Sequence, residues 1–225
     1  MAAQPASAAR STAPEMPPPL LVARMNTWAK PTISLYRWLR VLMAREVLRR
    51  HSLADLSMRR LATELGVSPN ALYWHYPDKQ TLLAALGDDI LADVTAPADD
   101  LEWDERLESV ARAMRASLCA VPDSAEVVSS GWSSGLSTMA VLDHLTDAAR
   151  DGGLSASARR GLVTAIAQLV IGLTIEQQTR QQMERLGVTG PGDRDYDAEF
   201  ADALAIVLAG ARQVRAAQTV ATAAS

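Results

Sequence analysis

The chain has 225 residues, 48% of them hydrophobic, which is enough for one large or two small domains around a sizeable core. One cysteine, Cys119, excludes a disulfide framework or a thiolate metal site within a single chain and suits a reducing interior. The net charge of -4 argues by itself against a polyanionic partner.

That average hides an asymmetry. Residues 1–80 hold 11 Lys and Arg against 5 Asp and Glu, whereas residues 81–225 hold 11 against 21. A basic head on an acidic body implies that only the head meets a polyanion.

In chain order, residues 1–30 open with a Pro-, Ala- and Ser-rich stretch that lacks an apolar core after a basic start. This predicts a flexible tail and no signal peptide. After Pro31, "TISLYRWLRVLMAREVLRRH" reads as a helix with Thr32 as its N-cap. Trp38, Val41, Ala44, Val47 and Leu48 share one face, and Arg37, Arg40, Arg45, Arg49 and Arg50 occupy much of the rest. Two short helices follow. Ser57 caps "MRRLATEL", which stops at Gly66, and Ser68 caps "PNALYWHY", with Pro69 at the favoured first position. Asp78 then caps "KQTLLAALGDDILADV", which fades by Pro97.

Further on, a helix is predicted from Trp103 to about Ala120, with Leu107, Val110, Met114 and Leu118 as its apolar stripe. Cys119 reads as a small buried residue on it. A short segment from Pro122 and Asp123 breaks at Gly131. Helices follow over about 136–150 and 156–186, then the loop "TGPGDRD", then a last helix over about 196–216. The longest apolar run, "LVTAIAQLVIGLTI", is short for a bilayer and contains Gln168, so a buried helix and no membrane partner are expected. Beyond the tail there is no sustained period-2 alternation. The fold class is therefore all-α: an N-terminal three-helix head over 31–80 and a helical body over 81–225.

The chemistry concentrates in "LSMRRLATELGVSPNALYWHYPDKQTLLAAL", residues 56–86. Two short helices joined at "ELGVS" have helix-turn-helix spacing. Ala62 is small where the second helix crosses, and Gly66 allows the tight turn. Leu61, Leu65, Val67 and Leu72 fill the space between them. The second helix begins with the short Ser68, Pro69, Asn70 and Ala71, which lets its positive end approach a major groove. On spacing alone, an ordinary helical hairpin would serve as well; the basic head favours DNA.

This stretch resembles the DNA-binding domain of the TetR family of transcriptional regulators, and "LYWH" is closest to its tetracycline-repressor subclass. "VPDSAEVV", "DGGLS" and "VIGLTIEQQ" resemble the regulatory domain of that subclass more weakly. The resemblance places Ser57, Met58 and Arg59 near the DNA backbone and groove edge. It puts Ser68, Pro69, Asn70, Ala71, Tyr73, Trp74 and His75 on the recognition helix and makes Lys79 a phosphate contact. Trp74 is divided between DNA and packing within the head. Arg24 and Lys30 form either a basic arm or a solvated tail.

In this family the body dimerises and holds an effector. Ala- and Gly-rich "RRGLVTAIAQLVIGLTIEQQ" and "AEFADALAIVLAGARQ" suit a four-helix interface, although one of them could be internal core. The effector candidates are Thr95, Trp103, Val110, Met114, Val128, Trp132, Met139, His144, Gln168 and Glu176. Most are apolar, which favours a small, mostly apolar ligand. By resemblance, Val128 stands where the subclass has its metal-binding histidine. Thr95, Val110 and Met114 replace its other drug contacts, and only Glu176 matches. No metal and no cofactor are expected.

The leading function is therefore a repressor that binds a palindromic operator as a homodimer and is released by its effector. The alternative is an activator or effector-independent DNA binder with the same head. No G-x-S-x-G, Walker or H-E-x-x-H motif supports an enzyme. Such a regulator would work in the cytoplasm.

Overall fold

A computed structural model describes residues 45–48, 52–64 and 66–223, and no strand occurs among them. Of the predicted first helix, only 45–48 fall within this range. They are helical and bury Val47 and Leu48. The predicted tail, Thr32 and Leu65 lie outside the described residues.

A 3-10 turn, Leu53–Asp55, leads into α1, Met58–Glu64. The Ser57 hydroxyl starts α1 by accepting from the Arg60 N–H at 3.1 Å. α2 is Pro69–Tyr73, with Pro69 in its first turn and the Ser68 hydroxyl accepting from the Ala71 N–H at 3.2 Å. The turn between them needs Gly66, whose φ is 63°. Leu61, Ala62, Leu72 and Tyr76 are buried. Val67, expected among them, is exposed in the turn that follows Gly66.

α3, Lys79–Leu91, is capped by the Asp78 carboxylate, which accepts from the Thr81 N–H at 2.7 Å. It stops earlier than expected: a turn at residues 92–93 folds Val94 back into the core. α4, Trp103–Cys119, opens with a capping box between Glu102 and Glu105 and buries the predicted stripe. Cys119 falls at its exposed end rather than in the core.

α5, Ser124–Ser133, runs through Gly131, where a break was expected. There α5 crosses α3 so closely that a Cβ on Gly131 would lie 3.1 Å from Ala84 Cα. The relation is reciprocal, since a Cβ on Gly87 would lie 3.3 Å from Val128 Cα. Each helix needs a glycine for the other to approach.

α6, Val141–Asp151, begins later than the expected 136. The Asp88 carboxylate holds the preceding residues out of a helix, accepting from the Ser137 hydroxyl at 2.5 Å and from the N–H groups of Thr138 at 3.0 Å and Met139 at 3.2 Å. α7, Ala156–Arg185, is the central helix and packs against α4, α5, α6 and α8. Its length and apolar composition would allow a membrane crossing, but such contacts are those of a core helix. α8, Tyr196–Ala223, extends past the predicted end at 216.

Candidate nucleic-acid interface and effector region

α2 divides its residues cleanly. Leu72 faces inward and Tyr76, just beyond the helix, is fully buried. Pro69, Asn70, Tyr73 and Trp74 face outward, with Ala71 and His75 at the margin. Trp74 is 88% exposed, which settles its division against packing within the head. The exposed indole and the exposed Tyr73 ring are sequence neighbours on this outward face.

The supporting helix contributes less than expected. Arg59 is exposed, and the Ser57 hydroxyl is engaged in capping α1. Met58 is only 6% exposed and belongs to the core of the head. This corrects its placement at the groove edge, because the phase of α1 set by Leu61 and Ala62 turns Met58 inward. Lys79 is half-buried, with Nζ 3.5 Å from the Leu53 carbonyl, a long contact that a phosphate could replace. Asp78 is exposed. The Thr81 backbone N–H donates to its ionised form and holds its carboxyl below the ordinary value.

The ten effector candidates divide between buried and exposed positions. Val110 and Met114 on α4 and Val128 on α5 are fully buried in the body. Trp103 is buried too, with the Arg215 guanidinium 5.5 Å above its ring. Met139 is buried in the loop before α6, while Trp132 and His144 are half-buried. Thr95, Gln168 and Glu176 face outward. Glu176 is held by Arg194 at 2.6 Å. Helical phase explains the scatter: spacing along the chain does not fix which side of α7 faces α4.

Four buried polar residues, Arg115, Ser124, Thr174 and Gln178, were missed, and two of them tie helices together. The Gln178 amide donates to the carbonyls of Leu118 at 3.0 Å and Val121 at 2.8 Å, and its oxygen accepts from the Ala125 N–H at 3.3 Å. It thereby ties the end of α4 to the start of α5. Arg115 bonds Gln177 at 2.7 Å and Asp197 at 2.6 Å and lies 5.1 Å from the Phe200 ring centre, pinning the start of α8. Their polarity inside apolar stripes was the available signal. A cavity of about 480 Å³ opens beside this pin, lined by Gln177, Arg180, Gln181, Glu184 and residues 192–197. Among the described residues, no group of three His, Cys, Asp or Glu side chains could hold a metal ion.

Two capped helices joined through a left-handed glycine, the second presenting an outward polar and aromatic face, define a helix-turn-helix DNA-binding regulator. The comparisons agree. Residues 43–86 match the bacterial regulatory proteins of the tetR family, and residues 96–191 match the tetracyclin repressor-like C-terminal domain. The chain is 29% identical to the tetracycline repressor protein class C of Escherichia coli over 194 residues, covering 76% of this chain and 88% of that one. The crystal structure of Mycobacterium smegmatis BioQ is similar at 36% identity and a TM-score of 0.72, covering 78% of this chain and 96% of that one. BioQ bound to its double-stranded DNA operator is similar at 36% identity and a TM-score of 0.62, covering 75% of this chain and 97% of that one. The chain belongs to the TetR family of bacterial transcriptional regulators.

Proposed function

We propose that this chain is a repressor that binds a palindromic operator as a homodimer and leaves it when a small, mostly apolar effector binds the body. Residues 31–80 serve as the DNA-binding head and residues 81–225 as the effector-binding and dimerising body. The observation that carries this is the outward face of α2, where Asn70, Tyr73 and Trp74 stand exposed over a packed head. Asn70 reads a base edge, whereas Tyr73, Trp74, His75 and Lys79 position the head on the backbone.

Dimerisation has its own support. One recognition helix reads only a few base pairs, and a palindrome needs two of them about 34–36 Å apart. Along α7 and α8, Gly161, Gly172 and Gly210 face open space, and Ile206 is 73% exposed. An apolar, small-residue face of this kind is covered by a second copy. The effector reading rests on Val110, Met114 and Val128. Val128 abuts Gly87 on α3, so a ligand that displaces it moves the helix that leads from the head.

A footprint on the DNA flanking the chain's own gene tests the reading. The expected result is a symmetric protected site with two half-sites one helical turn apart, lost on addition of an apolar metabolite. Absence of binding to any DNA at low salt, where phosphate contacts are strongest, overturns it.

A further inference from the structure

We propose that Asp123 is a positioning residue for operator binding: its carboxylate latches the head to the body and sets the angle at which α2 is presented. The inference rests on the DNA-binding reading above and adds the regulation of that site.

The Leu53 N–H donates to Asp123 Oδ2 at 2.6 Å, across 70 positions of sequence. Leu53 opens the 3-10 turn that leads into α1, so this bond grips the head at its entrance. Asp123 occupies the N-cap of α5, where an aspartate ordinarily accepts from the first N–H groups of its own helix. Here its side chain makes no such bond. Gln178, reaching from α7, accepts from the Ala125 N–H instead. Asp123 also adopts φ 58°, a left-handed conformation that costs an L-residue energy and aims the carboxylate away from α5. A residue in a strained conformation, with its usual task transferred to a neighbour, is committed to the head.

The far end of α5 is held as well. The Ser130 hydroxyl meets Gln80 at 3.1 Å, and the glycine crossing clamps α5 to α3. α5 therefore grips the head at Leu53 and also holds α3, the helix that leads from the head. Beside the latch lies an open crevice of about 390 Å³, whose walls include Ser52, Lys79, Asp123 and Glu126. It gives the head room to swing once the bond is broken. A displacement of α5 inside the body is then delivered to the head as a loss of the Leu53–Asp123 bond.

Three variants of the full chain test this. Asp123→Gly removes the carboxylate and relieves the strained φ, so folding is spared. Asp123→Asn keeps an acceptor oxygen and tolerates the same φ. Leu53→Pro deletes the donor N–H, together with a half-buried side chain whose loss is common to the single and double variants; Ser52, at φ -80° and ψ 164°, already has the conformation that precedes proline. Affinity is read by fluorescence anisotropy on the DNA site protected in the footprint. The distance between the two heads is read by spin labels on Glu64→Cys in a Cys119→Ser background.

Asp123→Gly is expected to bind roughly tenfold more weakly, as loss of a charge-assisted hydrogen bond implies, and to broaden the distance distribution. Asp123→Asn should recover most of both. In the Leu53→Pro background, Asp123→Gly should cost little more, because the bond is already absent. Wild-type affinity and an unbroadened distance in Asp123→Gly, or fully additive losses in the double variant, would overturn the latch. A wild-type chain that binds no DNA overturns the functional reading instead, and the distance measurement still decides for or against the latch.

Discussion

Replacing Gly172 by alanine should push subunit stability and dimer stability in opposite directions. Gly172 lies inside α7, and a Cβ there would meet nothing within 4 Å; the same holds for Gly161 in α7 and Gly210 in α8. A glycine inside a helix costs about 1 kcal/mol relative to alanine, so the three forgo roughly 3 kcal/mol per subunit. No contact inside the subunit offsets that loss. A second copy packed on this face would, because helices without side chains between them approach closely. Gly172→Ala should therefore stabilise the isolated subunit by up to about 1 kcal/mol. It should weaken the dimer by about 1–3 kcal/mol, because added methyl groups in a packed face force the helices apart. A loss near 2 kcal/mol raises the dimer dissociation constant roughly 30-fold. Sedimentation velocity over a dilution series reads that constant, and urea unfolding below it reads the subunit. A variant that resists urea better than wild type and dimerises equally well would remove this face from the interface.

Gly152→Ala poses the opposite contest. Gly152 has φ -65°, so alanine suits its backbone and would gain about 0.4–1 kcal/mol by restricting the unfolded chain. Its Cβ, however, would lie 2.5 Å from the buried Trp103 ring. Overpacking should win by about 1–3 kcal/mol, lowering the melting temperature by several degrees; equal or higher stability in a thermal melt refutes the contact. On the head, Lys79→Ala should weaken all DNA sequences alike, while Asn70→Ala relaxes preference at one position per half-site. Equal losses on every sequence for both variants contradict that division. Asp78 titrates below its ordinary 3.8 because its ionised form caps α3. The stability it contributes is complete above that value and is lost as pH falls through the lower folded value. A carbon-13 titration of Asp78 with a midpoint at or above 3.8 contradicts the cap.

The head was legible because its signals are local. Ser57, Ser68, Pro69, Gly66 and Asp78 each act within a few residues of themselves, and each stands in the structure where its chemistry placed it. The body was legible as helices but not as a packing. Gly131 looks like a helix break until α3 is seen 3.1 Å from its missing Cβ. Residues 136–140 look helical until Asp88, some 50 positions away, takes their donors. Met58 stands beside Arg59 in sequence, yet one is buried and the other exposed. The effector candidates divide between buried and exposed positions for the same reason, since which residues face one another across a helical body depends on non-local crossings.

The charge asymmetry that pointed to DNA also changes meaning when assigned to segments. From Ser52 to Gln80 the chain carries Arg59, Arg60 and Lys79 against Asp55, Glu64 and Asp78, so the reading unit has no net charge. The excess lies wholly ahead of it: residues 1–51 hold 8 Lys and Arg against 2 Asp and Glu. α2 thus offers shape, aromatic contact and hydrogen bonds, and salt-dependent attraction beyond that of Arg59, Arg60 and Lys79 would have to come from the preceding segment. The salt dependence of operator binding measures the split, because its logarithmic slope grows by about 0.9 for each phosphate neutralised. A slope no steeper than about 3 per subunit would be met by the three cations of the reading unit and would leave the earlier ones idle. A steeper slope, reduced in a chain that starts at Pro31, assigns cations among Arg10, Arg24 and Lys30 to the DNA backbone.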